Sequence, residues 1–281
     1  MGLPVEKLGR SYESRRAVVD PERAKAYAAA TNDDNPAYES GKYAPPVFGV
    51  VPTWDALTLV VADFITPEMF MMLVHGEQDM HFHQPLVPGR SVVSTGHAHS
   101  IRVAGSGTRL TTRVEATDAE DGSPVLDIYN TVFIRGLSEG ESGGPDKPDH
   151  AFPAEARDRP VGELSVHVDE DQTYRYRDAS GDLNPIHVDD DFAKSVGLPG
   201  IILHGLCTMA MTSQAVIRTV ADGDPARLKR LAVRFSGNVL PGNDVTTTLY
   251  DAGSADGRRA YAFEAESAGT RVIANGRAEI E

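Results

Sequence analysis

Hydrophobic positions along this chain change their period twice, in the same order each time. Asp20-Pro21-Glu22 opens a helical pattern, with Asp20 as a candidate N-cap and Pro21 at the favoured first position, and it runs to about Thr31. TNDDNPAY then breaks the helix, because Asn35-Pro36 is a turn signal. A Pro-bounded stretch, YAPPVFGVVP, leads into TWDALTLVVADFI, apolar enough for a buried helix. From about Glu77 the pattern becomes strand-like: EQDMHFHQPL, RSVVSTGHAHSIRVAG, TRLTTRVEATDA and LDIYNTVFIRG, joined by turn signals such as Val87-Pro88-Gly89 and Gly105-Ser106-Gly107. The spacing predicts an antiparallel meander.

The same order then returns. VHVDEDQTYRYRDASGD predicts a helix with Asp169 as N-cap and Gln172 at the capping-box position. DLNPIH breaks it, GLPGIILHG approaches the core, LCTMAMTSQAVIRTVA predicts a buried helix, and three strand-like runs follow. Thr31–Tyr38 lies over Ser180–His187 at an offset of 149, and Val87-Pro88-Gly89 over Leu240-Pro241-Gly242 at 153. A duplicated α+β architecture follows, each unit a helix wrapped by an antiparallel sheet. The expected division is 1–136 for the first unit, 161–281 for the second, and 137–160, rich in Gly, Pro, Ser and acid, as linker.

Composition narrows the function. Of 281 residues, 41% are hydrophobic and 24% charged, an ordinary globular profile long enough for one large or two ordinary domains. The net charge of −14 argues against a nucleic-acid partner, which needs a basic face, and against an anionic membrane surface. On sequence, no apolar run is expected to reach bilayer-spanning length, and the N-terminus lacks the apolar core of a secretory signal. Glu6 stands where a myristoylation signal needs Ser or Thr. The lone Cys207 permits no intrachain disulfide, which fits a reducing, cytoplasmic setting, and its apolar context makes it a core residue.

Chemistry concentrates in Tyr174–Thr208. Asp182 and His187 are five residues apart, which on a helix would put them about 140° apart. Pro185 prevents that helix by pushing Asn184 into an extended conformation, and a tight turn can return carboxylate and imidazole to one small volume. Such a pair can hold and activate a water. If Gly205 begins the following helix, its unpaired N–H points out of the positive helix end and can polarise a thioester carbonyl. In the first half the turn keeps Asp33, Asn35 and Pro36, but Tyr38 replaces His187 and Pro52 is matched to Gly205. One copy retains the parts of a site and the other only its shape.

SGDLNPIH followed by LHG resembles the signature of the MaoC-like, or R-specific, enoyl-CoA hydratases (hydratase 2), most strongly over residues 174–213. The two-copy layout is similar to the double hot-dog members of that family. The resemblance implies a hot-dog fold, with Asp182 and His187 as the catalytic pair and Gly205 as oxyanion donor. It also implies that Asn184 orients the pair and that Ser213 lines the substrate pocket. The implied reaction is hydration of a trans-2-enoyl thioester to the (R)-3-hydroxyacyl thioester, or its reverse. The substrate is carried on CoA or an acyl carrier, with no metal or redox cofactor. The degenerate copy would make room for bulkier acyl chains, and a homodimer is one assembly open to it.

Three rival readings are weighed against this one. A hot-dog thioesterase would use an acid to activate water at the thioester carbon, and a non-catalytic acyl-binding subunit would need no pair at all. His81-Phe82-His83 and His97-Ala98-His99, expected on neighbouring strands, could converge on a metal. Arg175, Arg177, Lys194, Arg218, Lys229 and Arg234 are candidate anchors for CoA phosphates. Asp189-Asp190-Asp191 is expected to cap a short helix.

Overall fold

In the computed structural model, which describes residues 2–281, the chain forms two compact units. The first comprises residues 2–18, 52–84 and 90–149. Its sheet has the order β1 (Arg15–Val18), β3 (Ser91–Ala104), β4 (Gly107–Asp118), β5 (Pro124–Arg135), β2 (Leu73–Phe82), all pairs antiparallel. The meander expected from sequence holds for β3–β4–β5 only. β2 pairs with β5, because Gln84–Gly89 carries the chain across the sheet rather than back in a hairpin. Along β3 buried residues alternate strictly over most of the strand, so one face is committed to the core.

That core is built on α3 (Val50–Phe64). Val60 and Phe64 join Leu3, Ala98, Ile101, Leu110, Val132 and Ile134 in one buried cluster. Gly96 is where helix and sheet come closest: a Cβ there would lie 2.2 Å from the Ala56 carbonyl oxygen, so only glycine fits. Pro46–Phe64 is, contrary to the sequence expectation, long and apolar enough to cross a membrane, with a mean hydropathy of 1.5. Here it serves as a core helix, with 56% of it buried, and Asp63 near its end binds Lys7 Nζ at 2.6 Å and the Tyr12 hydroxyl at 2.8 Å. A short helix, α4 (Pro67–Phe70), follows.

The second unit comprises residues 19–51, 85–89 and 150–281. Its sheet has the order β7 (Leu228–Phe235), β10 (Thr270–Ile280), β9 (Arg258–Ser267), β8 (Asp244–Ala255), β6 (Pro160–His167). Against it lies α7 (Gly205–Val220), buried at every position from Leu206 to Ile217. Gly162 of β6 marks one close approach, since a Cβ there would meet the Thr219 methyl at 2.4 Å.

The division at 136 and 161 is therefore not the division into compact units. α1 (Pro21–Ala30) and α2 (Pro36–Glu39) belong with α5 (Gln172–Ser180) and α6 (Asp190–Ser195), because α1 and α5 are packed as a pair. The hydroxyls of Tyr27 and Tyr176, 149 residues apart, meet at 3.0 Å in full burial. Each helix also ends on the other's arginine. Arg23 donates to the carbonyls of Ala179 and Ser180 at 2.7 and 2.6 Å, and Arg175 donates to Ala29 at 2.9 Å. These bonds satisfy C-terminal carbonyls that a helix cannot satisfy alone. Nor is 137–160 a free tether. Its first part lies on β3, where Arg102 donates to the carbonyls of Gly143, Gly144 and Pro145, and β6 already begins at Pro160.

Of the three expected caps two form, and the third differs: α5 begins after Asp171, not Asp169. Asp20 does cap α1, accepting from Arg23 N at 2.8 Å, and Asp189 caps α6, accepting from Phe192 N at 2.9 Å. At α5, however, only half the capping box forms: Gln172 Oε1 accepts the Asp169 N–H at 3.1 Å, while the Asp169 carboxylate turns to Arg175 and Asn32.

Candidate active site

The site is set by a run of turns, each closed by a side chain two residues upstream. α5 stops at Gly181, which adopts φ +80°. Ser180 Oγ then accepts from Asp182 N at 3.2 Å, Asp182 Oδ1 from Asn184 N at 3.1 Å, and Asn184 Oδ1 from Ile186 N at 3.4 Å. Asn184 thus holds the acid through its backbone N–H, while its side chain shapes the next turn. Pro185–His187 makes one 3-10 turn and delivers His187 into the interior at 7% exposure.

His187 Nδ1 lies 2.7 Å from the carbonyl oxygen of Ile202. A carbonyl only accepts, so Nδ1 carries the proton and Nε2 is left with a lone pair. Burial holds this imidazole below its ordinary value of 6.5, against the upward pull of the Ile202 bond and the Asp182 charge. A neutral ring with a free Nε2 is an acceptor at neutral pH.

His204 completes the cluster. It is the N-cap of α7, almost fully buried, and its ring stacks on His187 with centroids 3.8 Å apart and planes at 24°. Its Nε2 lies 3.4 Å from the Asp182 carbonyl oxygen, while Nδ1 is buried without a partner among the described residues. Burial first, then the neighbouring His187, drives its pKa down to about 2. Asp182, His187 and His204 each bring one ligating atom within 4.8 Å of the others. The two rings are stacked 3.8 Å apart with planes only 24° from parallel, so lone pairs lying in those planes do not meet at metal-bonding distance, and the geometry suits proton chemistry better.

Gly205 is the first residue of α7, and its N–H precedes the first intrahelical bond, from Thr208 N to the His204 carbonyl. A Cβ at this position would meet the Phe235 ring at 3.3 Å. Ser213 does not join the cluster. It sits buried two turns further along α7, with its hydroxyl donating to the Ala210 carbonyl at 2.7 Å.

The repeat is visible here in three dimensions. Rings form a column through the second unit: His187 on His204, His204 on Tyr176 at 4.8 Å, Tyr176 on Tyr27 at 5.2 Å, Tyr27 on Phe48 at 5.4 Å. Tyr27 answers to Tyr176, so Phe48 answers to His204 and Gly49 to Gly205. Pro52, matched to Gly205 on sequence, does not correspond to it: Pro52 is the third residue of α3, not the residue at its start. What the first copy has lost is both imidazoles.

Its acid survives in an altered setting. Asp33 Oδ1 still accepts from Asn35 N, at 3.2 Å, but the side chain is 5% exposed and burial raises its pKa to about 6. Beside it the Tyr38 hydroxyl is buried with no partner among the described residues. Because the folded pKa exceeds the unfolded one, the protonated form is favoured by folding. That contribution is whole below about pH 4 and lost as pH rises through about 6. Asp33→Asn should therefore stabilise the protein at pH 8 by on the order of 2 kcal/mol. Its unfolding temperature should exceed the parent's by roughly 4–8 °C at pH 8, with the gap closing near pH 4. A gap that does not change with pH contradicts a buried, ionising Asp33.

The other sequence candidates fall out plainly. The four histidines do not converge, since β4 and β5 lie between β3 and β2. His81, His83 and His97 instead face Asp79, Asp127 and Glu115 at 3.2, 3.3 and 2.8 Å. Of the six cations, Arg175, Arg177, Lys194, Arg218 and Lys229 are paired with carboxylates. Arg234, exposed on β7 next to Phe235, has no ion pair among the described residues.

Residues 152–271 match the family described as MaoC like domain, and 31–136 match the MFE-2 hydratase 2 N-terminal domain. A probable enoyl-CoA hydratase 2 from Dictyostelium discoideum is 32% identical over 211 residues, covering 74% of this chain and 71% of that protein. The crystal structure of a MaoC-like dehydratase from Phytophthora capsici superposes with a TM-score of 0.86 at 26% identity, over 99% of this chain and 98% of the other. A conserved hypothetical protein from Mycobacterium tuberculosis, described as having a double hotdog fold, shares the fold at a TM-score of 0.62 and 13% identity, over 97% and 95% of the two chains.

Proposed function

Because the chain belongs to the hydratase 2 family of MaoC-like proteins, we propose that it adds water to trans-2-enoyl thioesters to give (R)-3-hydroxyacyl thioesters, and catalyses the reverse dehydration. The observation that carries this reading is His187. Its Nδ1 proton is committed to the Ile202 carbonyl, which leaves Nε2 as the acceptor of a ring that has a nitrogen within 4.8 Å of the Asp182 carboxylate.

Two acceptors, Asp182 and His187 Nε2, take the two O–H bonds of one water and leave its lone pair for C3. As the C3–O bond forms, one water proton passes to the pair and electron density moves onto the thioester oxygen. Gly205 N–H, at the positive end of α7, stabilises that oxygen. The pair then returns a proton to C2, so water is added overall and nothing is oxidised. Neither a metal nor a redox cofactor is required. The carrier of the thioester is CoA or an acyl-carrier arm, and of the six candidate cations Arg234, exposed on β7 and without an ion pair among the described residues, is the one open to its phosphate.

Crotonyl-CoA tests the proposal directly. Loss of the conjugated-enoyl absorbance, with (R)-3-hydroxybutyryl-CoA as the product on chiral separation, is expected. The acidic limb of kcat/KM should lie below pH 6.5, since activity is lost only when the depressed His187 protonates. Release of free thiol with the enoyl group intact would instead identify a thioesterase.

A further inference from the structure

We propose that His204 is a positioning residue for this reaction, whose stacked ring keeps His187 dry and oriented as the base. The inference rests on the hydratase reading, and it assigns a role to a side chain that need not touch substrate.

Three observations converge on it. The His204 ring covers the face of His187 at 3.8 Å, and Tyr176 backs it at 4.8 Å, so water cannot reach His187 from that side. His204 Nε2 faces the Asp182 carbonyl oxygen, and its backbone runs directly into Gly205. One residue therefore touches the acid's turn and the base's ring and leads into the oxyanion donor. Third, the repeat supplies a natural comparison. Where the first copy has lost His187 to Tyr38, it has also replaced His204 with Phe48, which keeps the contact with its tyrosine and drops the nitrogens.

The titratable groups around His187 are Asp182 in the turn and His204 at the start of α7, with Tyr176 and Arg177 of α5 acting behind His204. Since burial dominates His187's depression, opening a hole beside it must let water in and move its protonation upward. A flat apolar ring in the same place must not.

The test is the pH profile of kcat/KM for crotonyl-CoA hydration by wild type, His204→Ala and His204→Phe. His204→Ala is expected to move the acidic limb up by about half to one pH unit. It should also cut kcat about 10–100-fold, with KM changed less than threefold, since a base displaced by about 1 Å loses that much. His204→Phe should return the limb to the wild-type position and recover most of kcat. An unmoved limb in His204→Ala, or His204→Phe as damaged as His204→Ala, overturns the proposal. Imidazole 15N shifts of the wild type give an independent reading: His187 must hold its proton on Nδ1 at pH 7 while His204 stays neutral down to pH 5. Absence of crotonyl-CoA turnover by the wild type would count against the hydratase reading itself, while the 15N result would still decide the placement of His204.

Discussion

Asp182→Asn is expected to abolish nearly all hydration, lowering kcat by about 10³–10⁴-fold, with KM nearly unchanged. The substitution is clean because the structural duty of Asp182 and its chemical duty use different properties. Its Oδ1 accepts the Asn184 N–H at 3.1 Å, and the carbonyl oxygen of an asparagine accepts that bond equally well. The turn that delivers His187 should survive, and the thermal midpoint should stay within a few degrees of wild type. What the amide cannot do is take a proton from water. It also cannot offset the burial of His187 with a negative charge, so that imidazole becomes harder to protonate. Loss of rate with an intact fold, measured on crotonyl-CoA beside a melting curve, is the expected pair of results. Undiminished hydration would remove Asp182 from the mechanism.

How much of this was legible in the sequence depends on how local each cause is. The Asp182–Asn184–Pro185–His187 turn could be read because its bonds span two residues, and the same chemistry recurs at Asp33–Asn35–Ala37. The start of α7 could be read from the abrupt change to an apolar helix after Gly205. Edge strands were not legible: β1 is Arg-Arg-Ala-Val, short and half-exposed, and β6 alternates exposed and half-buried residues with none buried. The packing of α1 with α5 could not be read either, since it is decided by Tyr27 meeting Tyr176 across 149 residues. The register of the repeat slipped for a related reason. Its offset is 149 at the turn but has widened to 156 by Phe48 and His204, and only the ring column shows which residues correspond. His204 lay in the motif from the start, but its partner is the ring of His187, 17 residues away, which only the folded chain identifies.

Gly205→Pro separates the oxyanion donor from the fold that presents it. Proline removes the one N–H assigned to the thioester oxygen and changes little else, for two geometric reasons. Position 205 is the first of α7, where proline's fixed φ suits the helix and its missing donor breaks no intrahelical bond. The residue before it, His204, already has φ −59° and ψ 136°, the extended conformation that proline demands of its predecessor. The new Cβ would sit 3.3 Å from the Phe235 ring, a contact that a few tenths of an ångström of ring movement relieves. Gly205→Ala brings the same Cβ but keeps the N–H, so it is the proper control. Proline is expected to lower kcat by about 10²–10³-fold, the usual worth of one oxyanion donor, and alanine by less than about tenfold on the same scale. Because the donor acts on charge that develops only as C3–O forms, the loss should fall on kcat and leave KM within a few-fold. Equal losses in the two variants would place the damage in the Phe235 contact and take the N–H of Gly205 out of the reaction.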